Sequence, residues 1–133
     1  MLHAVADTHT IIWYLFADAR LSATAKSAIE EAAGTGNQVA FSSITLAEIV
    51  YLGEKGRIHQ DTLMRVLDAV EHEHTVLYEI PFDRHVAQTL SRVDRLQIPD
   101  LPDCMIAATA LYHNLPLISR DRRIRLSSIP TIW

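Results

Sequence analysis

Short apolar runs alternate with longer helix-forming stretches along all 133 residues, and this alternation limits the possible folds more than any other feature. The runs at residues 2–6, 38–41, 75–80, 115–119 and 129–132 read as strands. After the first comes a short helix through Ile11, Ile12, Trp13 and Leu15. A second helix, capped by Ser22, passes through Ala25, Ala28 and Ile29 and stops near Gly34 and Gly36. Further helices are expected over 43–52, closing at Gly53, and over 60–71, 83–93 and 102–113. Strands separated by helices favour an α/β architecture: an open sandwich whose central, mostly parallel sheet of four or five strands is flanked by helices. No linker-like stretch divides the chain, which predicts one domain spanning residues 1–133.

Composition agrees with a packed chain. Hydrophobic residues make up 49% and charged residues 21%, with 4 Gly and 5 Pro, so no low-complexity tail is expected. A net charge of −4 lacks the strongly basic balance of many nucleic-acid binders, although an acidic metal site would itself lower the total. The single cysteine, Cys104, allows no intrachain disulfide and fits a reducing compartment. The opening MLHAVADTHT is unlike a signal peptide, and no apolar stretch reaches the ~18 residues of a membrane span. A cytoplasmic protein without membrane contact is the expectation.

Four carboxylates stand where a purely structural role is not the sole explanation. In open α/β sheets, ligands bind beyond the carboxyl ends of the strands, where the strand order reverses. Asp7 directly follows the first strand and Asp121 follows the strand in LPLIS; each also suits a helix N-cap. Glu48, in SSITLAEIVYL, shares a helical face with Ile44 and Tyr51, where a carboxylate loses solvent and needs compensation. Asp103 heads a stripe containing Ile106, Ala107, Ala110 and Leu111, with Asp100 the better cap candidate three positions earlier. Brought together, four carboxylates repel one another and raise their pKa values. A hard divalent cation relieves that penalty and prefers oxygen ligands, which points to Mg²⁺, with Mn²⁺ the alternative.

At these residues the sequence resembles the PIN-domain family, in particular VapC-like toxins of bacterial toxin–antitoxin pairs. ADTHTIIWYL is similar to the family's opening strand, first acid and short helix. SSITLAEIVYLGEKGRI is similar to its glutamate segment, and DLPDCMIAATALYHNLPLISRD to the segment with its third and fourth acids. The resemblance implies that Asp7, Glu48, Asp103 and Asp121 are the metal-binding and catalytic acids, and that Ser119 helps orient water or a phosphate. Cys104 departs from the arginine frequent in relatives. The resemblance further implies a metal-dependent endoribonuclease that cuts an essential RNA, a tRNA or rRNA, leaving a 5′ phosphate and a 3′ hydroxyl. It implies a cognate VapB-like antitoxin, a homodimer, and DNA contact only through that antitoxin.

Other residues have simpler readings. EHEH, at residues 71–74, lacks the paired histidines of HExxH and reads as a solvated helix end. Cys104 reads as a packed neutral thiol. Trp13, Tyr14 and Phe16 read as core, dimer or antitoxin contacts. Arg120, Arg122, Arg123 and Arg125 crowd Asp121, and Lys55 and Arg57 follow the Glu48 helix; beside an anionic metal site such cations grip RNA phosphates. Rival functions are a PIN ribonuclease of RNA processing outside any toxin pair and a catalytically silent PIN-like interaction module. A dehalogenase-like phosphatase needs a second acid two residues after the first, where this chain has His9.

Overall fold

A computed structural model describes residues 1–133. Five strands, β1 (Leu2–Ala6), β2 (Gln38–Ser42), β3 (Leu77–Ile80), β4 (Leu117–Ile118) and β5 (Thr131–Ile132), form one sheet in the order β3-β2-β1-β4-β5. Every neighbouring pair is parallel, so the mostly parallel sheet expected from the sequence is wholly parallel. The helices are α1 (Thr8–Leu15), α2 (Ala23–Gly34), α3 (Ile44–Glu54), α4 (Thr62–Glu71), α5 (Arg84–Thr89), α6 (Leu101–Tyr112) and α7 (Arg122–Arg125). None is long and apolar enough to cross a membrane.

Residues alternate across the pleat and build two cores. On one face Ala4, Ala6, Val39, Phe41, Leu77 and Ile118 pack under residues of α1 to α4. On the other, Val5, Ala40, Ile80 and Leu117 meet α5, α6, Ile124 and Ile129. Both faces of the strands are thus covered, which is why they read as nearly continuous apolar runs.

Three local expectations are corrected. Helix α3 continues through Gly53 to Glu54, and the turn is made by Gly56 at φ +67°. A lone glycine inside a helix is tolerated, whereas a left-handed φ after its end favours glycine strongly. The helix expected over 83–93 ends at Thr89 and tightens into a 3₁₀ turn, Leu90–Arg92. There Thr89 and Ser91 donate their hydroxyls back to the carbonyls of His85 and Gln88, a pattern that bends helices. The strand expected over 115–119 is regular only at Leu117–Ile118; it starts late because the Leu115 N–H is spent on the Ala110 carbonyl at the end of α6.

Strand β1 lies at the centre. From it the chain steps outward to β2 and β3, then crosses back to add β4 and β5 on the other side. The order therefore reverses between β1 and β4, and their carboxyl ends open a crevice there. The crevice is held rigidly: the Asp7 N–H and the Thr10 hydroxyl both donate to the Ile118 carbonyl, at 3.1 and 3.0 Å.

Candidate functional site

Three chain segments end at this crevice as helix N-termini, and each begins with an aspartate. Asp7 caps α1, accepting from the Thr10 N–H at 3.0 Å. Asp100 caps α6, accepting from the Asp103 N–H at 3.1 Å. Asp121 caps α7, accepting from the N–H groups of Arg123 and Ile124. Capping and pocket lining are therefore not alternatives: Asp7 and Asp121 do both. Glu48 comes from α3, where the Thr8 hydroxyl donates to its Oε1 at 2.6 Å.

Asp7, Glu48, Asp103 and Asp121 line one pocket of about 520 Å³, together with Asp100, Thr8, His9, Trp13, Arg120 and Arg122. The four acids expected from the sequence thus share one cavity. Asp100 joins them, although sequence reasoning gave it a capping role only. Thr8 was also missed; its signal was its place directly after Asp7, two residues before Thr10, the cap's own partner. Arg123 lies outside the lining, and Arg57 lines a separate groove beside Phe16 and His59.

Electrostatics report the convergence. The Asp103 carboxyl is pushed from its ordinary 3.8 to about 7, first by burial, then by the charges of Asp100, Asp121, Glu48 and Asp7. Burial raises Asp7 as well, against hydrogen bonds from Ser119 and Thr10. Glu48 is raised by burial and by Asp100 and Asp7, against the Thr8 hydroxyl and His9. Ser119 is fully buried and accepts from the Asp121 N–H at 3.0 Å, so one hydroxyl links the first and last acids. The face that Glu48 shares with Tyr51 is not apolar core, since Tyr51 is 56% exposed. Its desolvation comes from the pocket.

No three of the acids stand close enough together to form a ready-made cation cage. Mutual repulsion and the capping bonds favour such spacing, and the shared pocket and coupled carboxyls define the site better than a fixed cluster does. The donors fit a hard divalent cation: all are oxygens, and the one thiol, Cys104, is buried and donates to the Ile98 carbonyl. Among the other motifs, His72, Glu73 and His74 are exposed beyond α4.

Fold and pocket together define an α/β protein with an all-carboxylate site at the switch point of a parallel sheet. Residues 4–128 match the PIN domain family, and the chain belongs to it. Along its whole length, and that of the relative, it is 30% identical to Ribonuclease VapC22 of Mycobacterium tuberculosis (strain ATCC 25618 / H37Rv). Among solved structures it resembles a toxin–antitoxin complex from Klebsiella pneumoniae, at 28% identity and a TM-score of 0.62, covering 94% of this chain and 92% of the other. It also shares its fold with VapBC2 from Rickettsia felis bound to a promoter DNA fragment, with a TM-score of 0.69, 19% identity and coverage of 98% and 97%.

Proposed function

We propose that the chain is the ribonuclease toxin of a toxin–antitoxin pair, acting in the cytoplasm on RNA phosphodiesters. The observation that carries this reading is one pocket holding Asp7, Glu48, Asp103 and Asp121 in a PIN domain that is 30% identical to a named ribonuclease. The substrate class is a structured cellular RNA, a tRNA or rRNA, whose loss stops translation. The partner is a VapB-like antitoxin, as the likeness to the Klebsiella pneumoniae toxin–antitoxin complex suggests. The active form is a homodimer that meets DNA only through the antitoxin.

The four acids are the ligand set for Mg²⁺ or Mn²⁺. When bound, the ion supplies charge relief on the phosphate and activation of water. The chain's own residues prepare the site. Asp7 is fixed by its cap and by Ser119, and Glu48 by Thr8. Asp103 holds its proton up to about pH 7, so cation entry is linked to release of that proton. Arg120, Arg122 and Arg123 supply positive charge beside the acids for the RNA backbone.

The test is cleavage of total cellular RNA by wild type and by Asp7→Asn, each with Mg²⁺, Mn²⁺ or EDTA. Wild type is expected to cut only with a divalent ion, and the variant not at all, with 5′ phosphate and 3′ hydroxyl ends. Equal cutting by both proteins, or 2′,3′-cyclic phosphate ends, would refute the reading.

A further inference from the structure

Trp13 is a core residue, 6% exposed, that nevertheless forms part of the pocket wall. Two arginines lie over its indole. The Arg20 guanidinium carbon is 5.1 Å from the ring centroid, and Arg20 is also bonded to the Asp18 carboxylate at 3.1 and 2.8 Å. The Arg120 guanidinium carbon is 5.4 Å from the centroid, but Arg120 pairs with no carboxylate. That is unexpected for a long, flexible cation that lines a pocket with Asp7, Glu48, Asp100, Asp103 and Asp121. The positive charge is present at the pocket and withheld from its acids.

The ring explains the separation. An indole face attracts a planar guanidinium without using up its N–H donors. A collapsed Arg120 would neutralise the acids that have to bind a cation. We propose that Trp13 is a positioning residue whose indole holds Arg120 off the carboxylates, leaving its N–H donors for a non-bridging oxygen of the RNA backbone phosphate entering the pocket. The inference rests on the ribonuclease reading. Arg122 lines the same pocket but lies over no ring, which makes it the internal comparison.

The experiment measures binding of a fluorescein-labelled single-stranded RNA of mixed sequence by anisotropy over a KCl series. Mg²⁺ is present, and an Asp7→Asn background prevents cleavage. Arg120→Ala is expected to lose roughly tenfold in affinity and to reduce the log–log salt slope by about 1. Exposed Arg92→Ala, away from the pocket, is expected to change neither. Trp13→Leu lets Arg120 fold onto the carboxylates, so the slope falls part of the way towards that of Arg120→Ala, while affinity falls severalfold and, with Asp7 restored, KM rises more than kcat falls. Trp13→Phe, a weaker ring, falls between Leu and wild type, and it decides the matter if the Leu variant does not fold. Unchanged affinity and slope in Arg120→Ala, while Asp7→Asn abolishes cleavage, overturn this inference and leave the nuclease standing. Unchanged affinity in the folded Trp13 variants overturns the part given to the indole. Failure of the wild type both to bind and to cut RNA overturns both.

Discussion

Asp103→Asn removes one strained charge from the pocket while keeping the size of the side chain and the capping bond to its N–H. The native carboxyl titrates at about 7 instead of 3.8, so the folded state binds protons more tightly than the unfolded chain. Its penalty is absent below about pH 4, grows through the window between 3.8 and 7, and is complete above it. For a fully desolvated group such a displacement corresponds to about 4 kcal/mol. Asp103 is only partly buried, and solvent screening reduces the figure to about 1–2 kcal/mol. In EDTA at pH 8 the variant should therefore exceed wild type by about 1–2 kcal/mol, or roughly 3–8 °C in Tm for a chain of this size. Urea unfolding at pH 5, 6, 7 and 8 measures this, with equal m values expected. The gap should close toward acid pH. At Mg²⁺ a hundredfold above its Kd, wild type gains about 2.7 kcal/mol by mass action, and the variant gains less and cuts no RNA. Identical pH dependence in the two proteins, or a gap that widens toward acid, would refute the reasoning.

Three further outcomes are expected. Thr8→Val removes the 2.6 Å donor to Glu48 and leaves the Thr45 hydroxyl without its neighbour at 3.1 Å. It should cost about 1–3 kcal/mol in urea unfolding and shift the acidic limb of the pH–rate profile upward. Phe41→Ala, at a fully buried position, should lose about 3–5 kcal/mol in the same assay. Charge reversal at Arg122 and Arg123 together should weaken RNA binding and flatten its salt dependence; an unchanged slope would return both to ordinary surface.

The layered architecture was legible because the inner strands β1, β2 and β4 are covered on both faces and the longer helices bury an apolar side. The apolar runs followed from the first condition, and the stripe of Ile106, Ala107 and Ala110 from the second. All four acids could be found because two follow strands and two interrupt apolar patterns. Four things were less visible. Gly53 looks like a helix stop in sequence, yet Gly56 holds the positive φ, and only the backbone distinguishes them. Asp100 and Asp103 are three residues apart on one helix turn, and both reach the pocket. Thr8 becomes relevant only when Glu48, forty residues away in the chain, is folded against it. Trp13 was readable as core, and that was right, but its other edge forms the pocket wall through contacts no periodicity encodes.

The central position of β1 has a consequence for synthesis. Asp7 is made before β2 and β3, but β4, the strand on the other side of β1, and Asp121 are made after both. A nascent chain can pair β1 with β2, and β2 with β3, before the other edge of β1 is filled, since parallel partners so distant in sequence are slow to meet. On the proposed reading, the pocket that gathers Asp7 with Asp121 closes only once β4 has docked beside β1, so fragments ending before β4 are expected to cut no RNA.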